Sequence, residues 1–169
     1  ASLKDSAMAS GTPIRRGALR RLSLERIRIF FPSRFSAKPF TGTFDGKGKT
    51  IKNLVIDGGS STNIGFFGVT QNGEIKNVVF ENAQVSGRLN VGVVAGTPYT
   101  SKYSNITVTG HVEVDGMAYV GAVGGKNAYA NWTNITVDVD ETSYVKANSV
   151  ENGTAYRTYV GGVVGFNGE

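Results

Sequence analysis

The chain has 169 residues, no cysteine, one histidine, 23 glycines and 18% charged residues. The absence of cysteine excludes a disulfide framework, a thiolate metal site and a cysteine nucleophile, and His111 alone cannot build a His-rich metal site. Glycine is about double its ordinary ~7% share without the three-residue period of collagen, so its positions must serve backbone geometry. No apolar run approaches the ~18 residues of a membrane-spanning helix, and no segment reads as a clean signal peptide.

Charge and glycine divide the chain at the same place. Residues 1–40 carry nine Lys/Arg against Asp5 and Glu25, and only Gly11 and Gly17. Residues 41–169 carry nine Lys/Arg against eleven acids, and 21 glycines. The coincidence near Pro39 predicts a basic N-terminal arm or cap over 1–39 and a separate body over 40–169. In the arm, Leu22, Leu24, Ile27, Ile29 and Phe31 alternate with Ser23, Arg26 and Arg28 as in a strand, whereas Leu19, Leu22 and Arg26 fit a helix. Either form would cover the first rung of a stack. The same Arg- and Ser-rich composition also matches an organelle transit peptide, or a segment that binds nucleic acid or anionic membrane. The low charge of the body makes nucleic acid an unlikely partner beyond the arm.

The body is a repeat. Four segments begin with Asn and an aliphatic residue: Asn53-Leu54-Val55-Ile56, Asn77-Val78-Val79-Phe80, Asn105-Ile106-Thr107-Val108 and Asn134-Ile135-Thr136-Val137. Each is followed by a glycine signature, starting at Gly65, Gly92, Gly121 and Gly161 in turn, with intervals of 27, 29 and 40 residues. The long last interval marks an insertion of about eleven residues within 146–158. Period-two alternation, as in Val112-Glu113-Val114-Asp115, predicts short strands, and no window after residue 40 carries helical spacing. A propeller blade needs four strands in ~40–45 residues, too many for these units. The expected fold is therefore all-β: a parallel β-helix (β-solenoid) of about four rungs, each of two or three strands.

In such a stack, Ile51, Leu54 and Ile56 are expected over Ile75, Val78 and Phe80, then Ile106 and Val108, then Ile135 and Val137. The glycines are expected at sharp bends or where backbones approach too closely for a Cβ. The repeated Asn is expected at a corner in left-handed geometry, with an internal Asn ladder as the alternative.

The run Phe40-Thr41-Gly42-Thr43-Phe44-Asp45-Gly46-Lys47-Gly48-Lys49-Thr50-Ile51, with the glycine runs at 63–68 and 90–96, resembles GLUG-repeat proteins over residues 39–169. Gly11-Thr12-Pro13-Ile14 is faintly similar to a Pro-Ile pair ahead of that turn, and the rest of 1–38 departs from the pattern. The resemblance implies a β-helical segment of a larger bacterial surface or secreted protein, as in adhesin-like proteins and the N-terminal regions of IgA-cleaving metalloproteases. It implies no catalytic residues.

The final Asn167-Gly168-Glu169 repeats Asn72-Gly73-Glu74, and no polar capping repeat follows, so a fragment of a longer stack is expected. An open edge that pairs with another subunit is the alternative.

Candidate sites are few. Asp138 and Asp140, two apart on a strand beside Glu141, would suit a calcium site or a glycosidic carboxylate pair; a solvated face explains them more simply. Asp45-Gly46-Lys47-Gly48 reads as a tight turn rather than a calcium loop, and no phosphate loop is present. His111 reads as a corner histidine without a nucleophile elbow. Asn-X-Thr sequons begin at Asn105, Asn131, Asn134 and Asn152, two of them products of the repeat. Tyr99, Tyr103, Tyr119, Tyr129, Trp132 and Tyr144, with Tyr156 and Tyr159, are expected to line a ligand surface or to cover rung corners.

Together these readings predict a non-enzymatic, cofactor-free β-solenoid module at the bacterial cell surface or outside the cell, acting as adhesive surface or rigid stalk. Its expected partners are a host or matrix protein or glycan and the neighbouring domains of a longer chain. The alternatives are a polysaccharide lyase or hydrolase, or a phage fibre segment.

Overall fold

The computed structural model describes residues 27–30, 38–148, 150–151, 154–155 and 157–168, and every regular element among them is a β-strand. The first turn of the stack comprises β2 (Thr43–Asp57), β3 (Thr62–Ile64) and β4 (Phe67–Gln71), after a short strand β1 (Ile27–Phe30). The second comprises β5 (Glu74–Ser86), β6 (Leu89–Gly92) and β7 (Ala95–Tyr99), and the third β8 (Lys102–Gly116), β9 (Ala118–Gly121) and β10 (Gly124–Asn127). The fourth contains β11 (Asn131–Val139), β12 (Tyr144–Ala147), a hairpin of β13 (Val150–Glu151) and β14 (Thr154–Ala155), then β15 (Val160–Gly161) and β16 (Val164–Asn167).

Equivalent strands pair in parallel between turns, which gives three sheets: β1-β2-β5-β8-β11 with β12 also on β8, β3-β6-β9-β15, and β4-β7-β10-β16. The chain is thus a β-solenoid of about four turns. Hairpin β13–β14 is antiparallel and falls inside the expected insertion. In the basic segment, β1 extends the first sheet by pairing Ile27–Phe30 with Leu54–Asp57; residues 1–26 and the other arm expectations lie outside the described residues.

Alternation along the long strands turns one row of side chains inward, and register stacks them into columns. These are Phe44–Ile75–Tyr103–Trp132, Val78–Ile106–Ile135, Ile51–Phe80–Val108–Val137, Leu54–Ala83–Val112 and Ile56–Val85–Val114–Val145. The expected ladder is corrected in its first rung. Lys49 pairs with Val78 and Leu54 with Ala83, because the register shifts between Asp45 and Lys49. Asn53 consequently lies level with Asn82, not Asn77.

Asparagine forms the corners. Asn77, Asn105 and Asn134 have φ of 55°, 53° and 53°, in the left-handed region that Asn tolerates better than other residues with a Cβ. Their amides also form a chain along the stack: Asn134 donates to Asn105 (2.8 Å), Asn105 to Asn77 (2.9 Å), and Asn77 to the Asp45 carboxylate (3.0 Å). The ladder is therefore real but runs along the outside. Asp45 ends it and also accepts the Lys47 amide in the tight turn read from the sequence. A second corner holds Asn53 and Asn82, and a third holds Asn63 and Asn90, all at positive φ.

The glycine signature has a different cause. The glycines at 65, 92, 96, 121, 125 and 165 do not have left-handed φ; they lie where backbones meet. A Cβ on Gly65 would lie 2.6 Å from the Gly92 oxygen, and one on Gly92 would lie 2.7 Å from the Gly124 Cα. On Gly96, Gly125 and Gly165 it would collide with the backbone at Asn63–Ile64, Asn90–Val91 and Tyr119–Val120 of the preceding turn. Close approach, not bending, accounts for these residues. Asn167 pairs level with Asn127, whereas Asn72 lies level with Thr100, so these two repeated asparagines are not structural equivalents.

Two stability comparisons test these assignments by chemical denaturation. Gly125→Ala is expected to cost about 3 kcal/mol or more, since backbone cannot yield as a side chain tip does. Gly162→Ala, which meets nothing within 4 Å, is expected to stay within about 0.5 kcal/mol of the parent. Asn105→Ala is expected to be worse than Asn105→Gly by about 1 kcal/mol, because both lose the ladder bonds but only alanine pays for positive φ.

Candidate functional site

The structure separates these aromatic residues into a core pair, buried Tyr103 and half-buried Trp132, and three outer groups. Tyr103 is a core residue, 1% exposed, and its hydroxyl shares a 2.6 Å hydrogen bond with Thr70. Burial pushes the phenol above its ordinary pKa, so it remains a neutral hydrogen-bonding partner. Trp132 stacks on it at 4.2 Å between centroids as the next member of the column. These two residues are corrected from the expected ligand surface: their inward strand positions place them in the ladder.

The outer rings stand apart from one another, and those of Tyr119, Tyr159 and Phe166 are half-buried. Tyr99 and Tyr129, 39% and 56% exposed, meet edge to face at 6.1 Å. Tyr119 stacks on Tyr159 at 5.3 Å, with Phe166 against both and the Lys126 ammonium 5.6 Å from the Tyr119 ring centroid. Tyr144 carries Lys146 over its ring at 4.6 Å, and Lys146 in turn pairs with Asp115 at 2.9 Å. The rings thus make separate patches rather than one strip. Tyr156 lies outside the described residues.

Asp138 and Asp140 stand in different settings. Asp138 is exposed on β11, level with Thr109, whereas Asp140 follows the strand and organises a turn. Its carboxylate accepts the Thr142 amide (3.0 Å), the Thr142 hydroxyl (2.8 Å) and the Ser143 hydroxyl (2.9 Å). Led by the Thr142 bond, these donors lower the Asp140 pKa to about 2. Among the described residues, no group of three or more His, Asp or Glu is arranged to hold a metal ion.

His111 joins two turns. Its Nε2 is 3.1 Å from Glu113 on the same strand, and its Nδ1 is 3.3 Å from Asp140 and 3.0 Å from the Thr142 hydroxyl in the next turn. With a carboxylate on each nitrogen, the imidazolium is favoured, and Glu113 first, then Asp140, raises the His111 pKa. Gln84 holds Glu113 from the turn below at 3.0 Å. Sequence reading missed Glu113, although its i+2 spacing from His111 is the signal for a shared strand face. The order Thr142 hydroxyl, imidazole, Glu113 carboxylate is the nearest approach to a catalytic set. The hydroxyl is itself bonded to Asp140, so the cluster chiefly ties turn to turn.

Two of the sequon amides are engaged, Asn105 and Asn134 in the ladder. Asn131 is exposed, and Asn152 lies outside the described residues. Two shallow hollows mark the surface, one lined by Asp45, Lys47, Asn77 and Asn105, the other by Thr41, Thr43, Asn72, Glu74, Thr100 and Lys102. Among the described residues, no helix is long and apolar enough to cross a membrane.

The cluster gives a pH dependence of defined sign. Because His111 is raised above 6.5, its contribution to stability is complete below that value and fades as pH rises through the folded-state pKa. Asp140 acts oppositely: its contribution is present above 3.8 and is lost as pH falls toward about 2. The melting-temperature gap between the parent and His111→Gln should therefore be largest near pH ~5–6 and shrink by pH ~8 to 9.

A family profile described as rhamnogalacturonase A/epimerase, pectate lyase-like matches residues 30–161. A 74-residue stretch is 45% identical to part of halomucin from Haloquadratum walsbyi; it makes up 43% of this chain but 1% of that far longer protein. No solved structure matches. Since the profile spans most of the chain and the strands it covers form the parallel stack described above, the chain belongs to the rhamnogalacturonase A/epimerase, pectate lyase-like family.

Proposed function

We propose that this β-solenoid is a non-enzymatic module of a secreted or cell-surface microbial protein, presenting an adhesive surface on a stiff stack. One observation carries this reading: Glu113, Asp115 and Asp140 are taken up by partners within and between turns, while Tyr99, Tyr129 and Tyr144 stand exposed. Asp140 is consumed by its turn, Glu113 by His111 and Gln84, and Asp115 by Lys146. Tyr99, Tyr129 and Tyr144 are exposed, at the end of β7, at a positive-φ corner and at the start of β12. Parallel stacking fixes such side chains with little entropy left to lose on binding. The likeness to a small part of a much longer protein fits a module of an extended chain. The partner would be a glycan or a matrix or host protein.

A second reading, a polysaccharide-processing β-helix enzyme, is favoured by the family match and by the Thr142–His111–Glu113 arrangement. Fold and family alone do not carry chemistry, because one β-helix scaffold serves several activities.

The two readings part in a turnover assay on pectin, alginate and glycosaminoglycans, followed by released reducing ends and unsaturated products. The expected result is no turnover. Turnover that disappears in Asp138→Asn, Asp140→Asn or His111→Gln protein would replace the adhesive reading with the enzymatic one.

A further inference from the structure

We propose that Asn131 carries an N-linked glycan, an inference that rests on the secreted or cell-surface part of the proposed function and not on adhesion. Three of the four Asn-X-Thr sequons, those at Asn105, Asn131 and Asn134, lie among the described residues. The fold treats them differently. The middle position of a sequon needs only to be a residue other than proline, and Trp132 meets that condition.

The strand brings the two chemical halves of the Asn131 sequon onto one face. Trp132 turns inward and stacks on Tyr103, so its neighbours Asn131 and Thr133, two apart on β11, turn outward together. Both are exposed. Asn131 ends the outward column Thr43–Glu74–Lys102–Asn131, none of which is buried. Its backbone amide donates to the Ser101 oxygen at 2.9 Å, but among the described residues nothing bonds its side-chain amide. A sugar on the Asn131 Nδ2 therefore displaces no hydrogen bond and extends into solvent.

Asn105 and Asn134 are also exposed, yet their amides are occupied. Asn105 donates to Asn77 at 2.9 Å and accepts from Asn134 at 2.8 Å. Their φ of 53° sets both at the corner, where successive turns stand about one strand spacing, ~4.8 Å, apart. A pyranose on either nitrogen would crowd the adjoining corner and disturb the ladder bond that nitrogen makes.

The modification is a group transfer. The Asn131 Nδ2 attacks the anomeric carbon of an oligosaccharide carried on a polyprenyl phosphate or diphosphate. The N–C bond forms, the C–O bond to the phosphate breaks, and the amide proton ends on the released lipid phosphate. The co-reactant is that lipid-linked oligosaccharide, presented by an oligosaccharyltransferase during export. The fold then decides which glycans the mature stack accommodates.

The test is glycopeptide mass spectrometry on the whole protein, isolated from its own cells and from their medium. A sugar mass on the peptide that bears Asn131 is expected, with Asn105 and Asn134 unmodified. The whole chain secreted from yeast, carrying Asn152→Gln, should be occupied at Asn131 and lose that glycan in Thr133→Ala. Enzymatic removal of the glycan should move its melting temperature by less than about 2 °C. Exported protein bare at Asn131 overturns the proposal and leaves the adhesive reading standing. So do glycans on Asn105 or Asn134 of the secreted chain that leave its melting temperature unchanged, because the ladder would then select nothing. Protein found only inside its own cells overturns the export reading, and this site with it.

Discussion

Backbone-to-backbone contact between two sheets of short strands governs this molecule. The strands β3, β6, β9 and β15 lie so close to β4, β7, β10 and β16 that no side chain fits at the glycine positions. Each turn therefore returns to glycine at these places, whatever the length of chain between them, which accounts for much of the excess of this residue. A larger residue at one such place would displace a neighbouring turn, since the atoms in the way belong to backbone. The wider part of each turn is built differently: the long strands β2, β5, β8 and β11 send aliphatic and aromatic columns into the core.

Asparagine and glycine divide the labour. Glycine supplies thinness, whereas Asn supplies curvature, because its side chain tolerates positive φ and bonds to the Asn in the adjoining turn. Each corner amide thus helps to satisfy another that curvature exposes. Where the third corner changes from Asn63 and Asn90 to Tyr119, ring stacking on Tyr159 replaces the amide contact. The scaffold can exchange amides for rings at such a position without altering the strand register.

Much of the architecture was legible in the sequence, and the reasons are local. Repetition revealed the period, alternation gave the strands, and the extra spacing before Gly161 marked the hairpin β13–β14. What escaped was register and direction. The Lys47–Gly48 turn inserts residues into the first rung, so similarity of Asn53-Leu54-Val55-Ile56 to later segments pointed to the wrong level. Tyr103 and Trp132 resembled the other aromatics by composition, and only their inward strand positions separate them. The His111–Glu113–Asp140 contact spans two turns; its local half was readable at i+2, but its other half needed the fold.

The functional reading follows from the same economy. A stack that engages Glu113, Asp115 and Asp140 in ties within and between turns still leaves exposed rings at Tyr99, Tyr129 and Tyr144, and rigid spacing turns these into surfaces. That account requires the glycine contact to be as firm as the aliphatic core. Native-state hydrogen exchange tests this directly at Phe67, Val94 and Val123, whose amides donate across turns to Val94, Val123 and Val163 at 2.9 Å each. The account predicts that these amides exchange only through global opening, as slowly as those of Val78 and Ile106 in the long-strand sheet. Exchange at loop-like rates, while the long sheet remains protected, would contradict it.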